Sequence, residues 1–197
     1  MGWTKKIQNR SANIGVVGLG YVGLPLAVAF ARRGFKVTGM EAHPKRAADI
    51  RAGRSYIEDV SSEELKRLVK QGLLTVDEKG ARVGSLDAIL ICVQTPLRKT
   101  KEPDISNILN ACRALAKNLR KGALVVLEST TYPGTTKEAV LPELEKSGLT
   151  AGKDFFLAFS PERVDPGNVR WKIENTPKVV GGLGPESTKR AVELYSQ

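Results

Sequence analysis

The sequence predicts an α/β fold in which a doubly wound, mostly parallel sheet carries helices on both faces. Short apolar segments alternate with segments of helical periodicity along nearly the whole chain, and a glycine-rich turn follows the first apolar segment. Short segments that are apolar throughout are typical of strands buried on both faces of a parallel sheet. The strand candidates span residues 13–17, 36–40, 88–93, 123–127, 155–159 and 178–180.

Helical segments lie between these strand candidates. Apolar residues recur at helical spacing over 105–119, with Asp104 as the predicted N-cap and Gly122 as the predicted stop. Ser61 precedes an acidic pair and an apolar series, which predicts the start of another helix. Pro142 is expected to kink or break a further helical segment, because proline lacks the backbone N–H that a helix interior needs.

The composition indicates one main domain and argues against nucleic-acid and membrane partners. We interpret residues 1–11 as a polar N-terminal tail and residues 12–197 as the domain. The net charge is +10, but acidic residues are interspersed with the basic ones, and no aromatic residues alternate with a basic stripe. No apolar stretch has the length of a membrane span, so a cytoplasmic protein is expected. Cys92 and Cys112 lie in apolar segments without metal-ligand spacing, which predicts core residues and no metal site.

A Gly-x-Gly-x-x-Gly turn, formed by Gly18, Gly20 and Gly23, follows the first strand candidate. In that position the first glycine permits a tight turn, the second lets the backbone approach a pyrophosphate, and the third lets a helix pack close to the sheet. The N–H groups of Tyr21 and Val22 would point at the phosphates along with the helix dipole. A glycine-rich structural turn is the alternative, but strand, glycines, helix and a following acid together favour a Rossmann-like dinucleotide site.

The following acid is Glu41, which ends the second strand candidate 18 residues after Gly23. Its carboxylate suits hydrogen bonds from both hydroxyls of an adenosine ribose and would repel a 2′-phosphate, which favours NAD over NADP. Lys45 and Arg46 complicate this preference, because a cation would offset the repulsion; alternatively, Arg46 is a solvated charge at a helix start. His43, the single histidine, is interpreted as an exposed loop residue.

Three more polar loops follow strand candidates, so we expect them beside the glycine turn at the carboxyl ends of the strands. Ligands of doubly wound sheets bind beyond those ends. Thr95 and Thr131 lie in the first two loops, where their hydroxyls suit a nicotinamide ribose or a held water, or else ordinary turn and cap bonds. In the third loop, Glu162 suits a general base or a water holder, and Arg163 suits a phosphate or a sugar hydroxyl. A plain surface ion pair is the alternative for these two residues.

Five motifs occur in order: GLGYVGLPLA at 18–27, CVQTPL at 92–97, EPD at 102–104, ESTTYPGTT at 128–136 and SPERVDPGN at 160–168. Together they resemble the nucleotide-sugar dehydrogenases, the UDP-glucose/GDP-mannose dehydrogenase family. The last three motifs look most like the UDP-N-acetylglucosamine 6-dehydrogenase branch. The resemblance covers about residues 12–197.

This resemblance implies an NAD-dependent enzyme that oxidises the C6 alcohol of a UDP-sugar to a uronic acid with two NAD, for surface polysaccharide synthesis. Glu41 stands where the family usually has Asp, and Gln94 stands where it commonly has Pro, which is expected to loosen the loop that carries Thr95. The resemblance also implies NAD contacts at Tyr21, Val22, Glu41, Thr95 and Thr131, with Arg46 as an additional contact. It implies sugar-nucleotide contacts at Arg163 and Val164, and a role for Glu162 in handling water during thioester hydrolysis, with Thr131 sharing that water.

The family's cysteine nucleophile, lysine and asparagine lie on segments beyond this sequence, as does its UDP-binding domain. The chain therefore resembles the N-terminal cofactor-binding domain, and we expect it to be inactive alone and the full-length enzyme to be a homodimer or larger oligomer. Two alternatives stay open. One is a stand-alone dinucleotide-binding module without catalysis, and the other is a domain of a β-hydroxyacid-type dehydrogenase, against which the loop around Glu162 argues.

Overall fold

Strands and helices alternate along the chain in a computed structural model that describes residues 2–99, 101–163, 173 and 175–197. The strands are β1 (Asn13–Val17), β2 (Lys36–Met40), β3 (Leu74–Val76), β4 (Ala88–Ile91), β5 (Leu124–Leu127), β6 (Phe156–Phe159) and β7 (Gly181–Gly182). The helices are α1 (Trp3–Gln8), α2 (Gly23–Arg32), α3 (Pro44–Arg51), α4 (Ser62–Lys70), α5 (Ser106–Ala116), α6 (Leu141–Glu145) and α7 (Pro185–Tyr195).

The strands of the described residues form one seven-stranded sheet in the order β3-β2-β1-β4-β5-β6-β7. Neighbouring strands are parallel except for β6 and β7, which are antiparallel. The chain order reverses between β1 and β4, and a reversal of this kind opens a crevice beyond the carboxyl ends of the two strands. The predicted doubly wound, Rossmann-like α/β fold is confirmed.

The register of the sheet brings the ends of its central strands side by side. Val17 of β1 pairs with both Met40 of β2 and Ile91 of β4. Leu127 of β5 pairs with Ile91 and with Phe159 of β6. The loops that follow these five strands therefore leave from one edge of the sheet, which brings the glycine turn and the polar loops together.

Strands β4 and β5 are apolar throughout because they are covered on both faces. In β4, Ala88 and Leu90 belong to one buried cluster, whereas Ile89 and Ile91 belong to the other. Side chains of a strand alternate between the two faces, so a strand that is covered on both sides needs apolar residues at every position. Helices α2, α4 and α7 contribute to the first cluster, and α5 and α6 contribute to the second.

The segment interpreted as a polar tail is partly helical. Ile7 of α1 is buried, and Lys6 forms an ion pair of 2.7 Å with the buried Asp87 at the start of β4. The hydroxyl of Thr4 donates to Glu193 of α7. Residues 3–8 thus dock on the domain rather than extend from it, because Ile7 is buried in the core and Trp3 packs against it.

Two strand predictions differ from the structure. Residues 178–180 are not a strand; the last strand lies one step later, at Gly181–Gly182, where its backbone pairs with β6. Strand β3 was not predicted, because its three residues, which include the partly exposed Thr75, form no continuous apolar segment. It pairs with β2 and is the outermost strand on the side of the sheet opposite β7.

Two local helix predictions are refined. Pro142 lies in the first turn of α6, directly after a π-helical turn at Thr136–Val140, so the predicted break is the junction of these two elements. The N-cap of α5 is Ile105 rather than Asp104, although the carboxylate of Asp104 accepts the N–H of Ser106 at 2.9 Å. For α4, the hydroxyl of Ser61 caps the helix as expected by accepting the N–H of Glu64.

Among the described residues, no helix combines the length and hydropathy of a membrane span. The same residues contain no group of three or more His, Cys, Asp or Glu side chains placed to hold a metal ion. Cys92 and Cys112 are both buried and free, in line with their predicted place in the core.

Candidate dinucleotide-binding site

The three glycines of the turn between β1 and α2 meet three different steric conditions. Gly18 has φ of 86°, a left-handed conformation that favours glycine, and a Cβ there would lie 2.9 Å from the carbonyl oxygen of Cys92. A Cβ on Gly23 would overlap with the carbonyl oxygen of Gly18. A Cβ on Gly20 would meet no atom within 4 Å. The first and third glycines are therefore needed by the fold, and the second borders open space that a ligand can approach.

The first turn of α2 borders that space, and within the described residues no hydrogen bond is found for the N–H groups of Tyr21 and Val22. The N-cap is Val22, whose side chain offers no acceptor for the N–H groups of the turn, and Tyr21 before it is largely exposed. The unpaired N–H groups and the helix dipole make such a terminus attractive to phosphate. The predicted roles of Tyr21 and Val22 fit this geometry, because both backbone positions precede the helix beside Gly20.

Glu41 lies at the end of β2 and is 8% exposed. Its Oε2 accepts the N–H of Leu19 at 3.2 Å, and its Oε1 accepts the N–H of His43 at 2.9 Å. Each carboxylate oxygen has a second lone pair, so two ribose hydroxyls can still donate to it. Glu41 therefore holds the glycine turn in place and keeps the acceptors that an adenosine ribose needs.

A cleft of about 480 Å³ extends from Glu41 along α5. Its walls include Val17 at the end of β1, Val93 in the loop after β4, and four residues of one helix face. These four residues are Asn107, Asn110, Ala111 and Ala114. Sequence reasoning missed them, although their spacing of three and four marks a helix face beside the buried one. The cleft continues from the ribose position, so it is the candidate pocket for the adenine ring.

A second cleft, of about 290 Å³, opens on the other side of the glycine turn. It is bordered by the loops that follow β4 and β5, and Glu128 and Glu162 are among its lining residues. The hydroxyl of Thr95 donates to the carbonyl of Thr130 at 2.7 Å and so ties the two loops together. Thr131 follows Thr130, and its hydroxyl lies 2.8 Å from that of Thr135.

Lys178 joins two carboxylates beneath this second cleft. Its Nζ lies 2.7 Å from Oε2 of Glu128 and 3.7 Å from Oε2 of Glu162, and its side chain is only 11% exposed. The hydroxyl of Tyr195, from α7, donates to the other oxygen of Glu128. We refer to Glu128, Glu162, Lys178 and Tyr195 as the Glu128 cluster. Sequence reasoning singled out Glu162 from this set but missed the other three residues.

Burial is the main cause of the raised pKa values in and beside the Glu128 cluster. It raises the pKa of Glu128, and the ammonium of Lys178 opposes that rise. It also raises the pKa of the Tyr195 hydroxyl and of the Cys92 thiol well above their ordinary values. Cys92 therefore stays a protonated core thiol at neutral pH, in agreement with its predicted lack of a nucleophilic role.

The remaining predicted residues lie at the same edge or outside the described part of the chain. Arg46 is exposed on the first turn of α3, in a recess of about 320 Å³ that also contains His43 and Gly20. The backbone N–H of Arg163 donates to the carboxylate of Glu162 at 2.6 Å, and its residue is exposed. Val164 lies outside the described residues. The glycine turn, Glu41, Arg46, Thr95 and Glu162 thus share one edge of the sheet, as predicted.

Comparison with known proteins agrees with this geometry. Residues 12–197 match the UDP-glucose/GDP-mannose dehydrogenase family, NAD binding domain. The chain is 36% identical over 189 residues to the UDP-N-acetyl-D-glucosamine 6-dehydrogenase of Pseudomonas aeruginosa, covering 95% of this chain and 44% of that protein. It is 36% identical over 183 residues to the UDP-N-acetyl-D-mannosamine dehydrogenase of Pyrococcus horikoshii, covering 92% of this chain and 44% of the relative. The chain spans less than half the length of these relatives.

Solved structures extend the comparison to the fold. The NDP-N-acetyl-D-galactosaminuronic acid dehydrogenase of Methanosarcina mazei Go1 superposes with a TM-score of 0.86 at 38% identity, over 100% of this chain and 44% of that one. The 3-hydroxyisobutyrate dehydrogenase of Salmonella typhimurium reaches 0.62 at 16% identity, over 94% of this chain and 53% of that one, a likeness of fold alone. The chain thus belongs to the UDP-glucose/GDP-mannose dehydrogenase family, as its NAD-binding domain.

Proposed function

We propose that this domain is the cofactor-binding part of a cytoplasmic UDP-sugar 6-dehydrogenase, which oxidises the C6 alcohol of UDP-N-acetylglucosamine to the uronic acid with two NAD. The observation that carries the proposal is the open space at Gly20, between the helix N-terminus of α2 and the carboxylate of Glu41. The named activity of the Pseudomonas aeruginosa relative supports the choice of sugar.

The proposed roles follow the position of each group along the edge. The N–H groups of Tyr21 and Val22 bind the pyrophosphate, and Glu41 binds the adenosine ribose. Arg46 contacts the same half of the cofactor from its recess. Thr95 meets the nicotinamide half, since it lines the second cleft across the glycine turn from Glu41. Thr131 is proposed to meet the same half because it directly follows Thr130, which also lines that cleft.

The sugar end of the proposed site uses the loop after β6. When bound, NAD accepts the hydride from the C6 carbon of the sugar. Glu162 lines the second cleft and is proposed to hold a water and accept its proton during thioester hydrolysis. Thr131, next to the cleft residue Thr130, is proposed to share that water. Arg163 and Val164 contact the sugar nucleotide. The nucleophile and the UDP-binding surface come from other parts of the enzyme, so we propose that residues 1–197 bind cofactor without turnover and that the whole enzyme is a homodimer or larger oligomer.

The NAD preference provides the test of this function. We expect the chain to bind NAD at least about tenfold more tightly than NADP, because Glu41 opposes a 2′-phosphate. Glu41→Gln keeps the side-chain length but removes the charge. It should therefore weaken NAD binding and reduce the difference in affinity between NAD and NADP. Isothermal titration calorimetry measures both affinities.

The matched control is Glu63→Ala, which removes an exposed carboxylate on α4. This variant should bind both cofactors as the unchanged chain does. Equal affinity of the unchanged chain for NAD and NADP would contradict the assigned role of Glu41. Absence of NAD binding would contradict the function itself.

A further inference from the structure

Tyr56 ties a distant loop to the middle of the glycine turn. It lies between α3 and α4, and its hydroxyl donates to the carbonyl of Leu19 at 2.7 Å. The N–H of Leu19 donates to Glu41, so both backbone polar groups of this buried residue are held by side chains from other segments. The carbonyl of Leu19 and the N–H of Gly20 belong to one planar peptide. Fixing the carbonyl therefore fixes the direction of the Gly20 N–H at the point where a pyrophosphate approaches.

The ring of Tyr56 also supports Arg46. The guanidinium carbon of Arg46 lies 5.5 Å from the ring centroid, within the range of a cation–π contact. Arg46 is otherwise exposed, and an unsupported arginine has many rotamers that binding must restrict. The ring and the guanidinium border the same recess as Gly20 and Tyr21.

The loop around Tyr56 is itself held on both sides. The hydroxyl of Ser55 accepts the N–H of Ile57 and donates to its carbonyl, and the N–H of Ser55 donates to Ser62. Ile57 is buried in the core. Burial, followed by the charge of Glu41, raises the pKa of the Tyr56 hydroxyl to about 12, so it remains a donor over the whole neutral range.

We propose that Tyr56 is a positioning residue of the NAD site, whose hydroxyl orients the Leu19–Gly20 peptide and whose ring holds the Arg46 guanidinium at the mouth of the site. It acts through these two groups and needs no contact with the cofactor. The proposal rests on NAD binding at the glycine turn, as set out under the proposed function.

Two variants of Tyr56 separate the two effects. Tyr56→Phe removes only the hydroxyl and should weaken NAD binding about fivefold. Tyr56→Leu also removes the ring and should weaken binding further, by about another threefold. In an Arg46→Ala background the additional loss from Phe to Leu should vanish, because the guanidinium that the ring supports is gone. The comparison needs six proteins: the unchanged chain, Tyr56→Phe and Tyr56→Leu, each with and without Arg46→Ala. Calorimetric titration with NAD measures the affinity of each.

A merely structural role would not produce that coupling. Thermal unfolding of each variant reports stability, and the ¹⁵N chemical shift of Gly20 in the absence of ligand reports the hydrogen bond to the Leu19 carbonyl of the same peptide. Tyr56→Phe should change that shift. The matched control is Trp3→Leu, which removes a ring 5.6 Å from the guanidinium of Arg190. Arg190 also donates to the carbonyl of Gly122, which precedes β5 and so lies at the end of the sheet away from the glycine turn. Because the Trp3–Arg190 pair is remote from the NAD site, Trp3→Leu should leave NAD affinity unchanged.

Wild-type affinity in Tyr56→Phe, together with an unchanged ¹⁵N chemical shift of Gly20, would overturn the hydroxyl role. An equal Phe-to-Leu loss with and without Arg46 would overturn the ring role. If Tyr56→Leu fails to fold, the NAD affinity of Tyr56→Phe and the ¹⁵N chemical shift of Gly20 still decide the role of the hydroxyl. Failure of the unchanged chain to bind NAD would overturn this proposal and the proposed function together, whereas NAD binding with normal Tyr56 variants would overturn this proposal alone.

Discussion

Replacing Gly20 with valine is expected to abolish measurable NAD binding while leaving the fold in place. A Cβ at this position meets no protein atom within 4 Å, so the protein itself tolerates the side chain. The added isopropyl group would instead fill the space through which a pyrophosphate reaches the N–H groups of α2. We expect at least a hundredfold loss of affinity, or about 2.7 kcal/mol. Calorimetry measures the affinity, and the thermal midpoint should change by only a few degrees.

Gly23 provides the contrasting variant. A Cβ there overlaps with the carbonyl oxygen of Gly18 and lies 3.2 Å from Cβ of Cys92, so Gly23→Ala should lower stability and NAD binding together. Gly20→Ala, with a smaller side chain, should fall between the unchanged chain and Gly20→Val in affinity. Unaltered NAD binding by a folded Gly20→Val variant would mean that the dinucleotide binds elsewhere.

Replacing Lys178 with methionine is expected to destabilise the domain strongly and in a pH-dependent way. The ammonium pairs with Glu128, which has no exposed surface, and removing one partner of a buried ion pair costs about 3–5 kcal/mol. Part of the loss of stability depends on whether the carboxyl group of Glu128 is charged once the Lys178 ammonium is removed. Chemical denaturation of both proteins at several pH values measures the difference in the free energy of unfolding.

The direction of the pH effect follows from the raised pKa of Glu128. A carboxyl group whose pKa is raised by folding contributes stability that is full below its unfolded-state pKa and is lost as pH rises through its folded-state pKa. Loss of the Lys178 ammonium removes the charge that opposes this rise. The deficit of Lys178→Met relative to the unchanged chain should therefore be largest near neutral pH and shrink towards the ordinary carboxyl pKa, about 4.3. Comparing the two proteins at each pH cancels the titration of carboxylates elsewhere.

Two further variants check the interpretation of Lys178. Adding Glu128→Gln to Lys178→Met removes the buried charge and should restore stability at neutral pH. Lys121→Met disrupts the exposed pair with Asp154 and should cost less than about 1 kcal/mol. A deficit in Lys178→Met that stays constant across the pH range would show that packing, rather than the charge of Glu128, explains the loss.

The parts of the fold and site that the sequence predicts are those governed by local chemistry. The strands β4 and β5 are predictable because burial on both faces requires apolar residues throughout. The glycine turn is predictable because tight turning, backbone approach and helix packing each restrict one position. The role of Glu41 is predictable because an acid follows the second strand, 18 residues after Gly23. Its hydrogen bonds with the N–H groups of Leu19 and His43 are not predictable from that spacing.

Contacts between distant segments lie beyond this kind of reasoning. Glu128 is separated from Lys178 by 50 residues and from Tyr195 by 67, and no local pattern indicates that they meet. The bond between Tyr56 and Leu19 spans 37 residues in the same way. The strand predicted at 178–180 was wrong for a related reason, because pairing with β6 begins at Gly181 and that backbone partnership is invisible in side-chain hydropathy.

The location of the NAD site can be tested most directly by titrating the isotope-labelled chain with NAD and following backbone amide resonances by NMR. We expect saturable shifts that are concentrated at Gly18–Gly23, Glu41, Arg46 and Thr95, with small changes at the opposite edge around Asp87. A saturable titration whose largest shifts lie away from the glycine turn, or no shifts at millimolar NAD, would contradict the assignment of this edge as the NAD site.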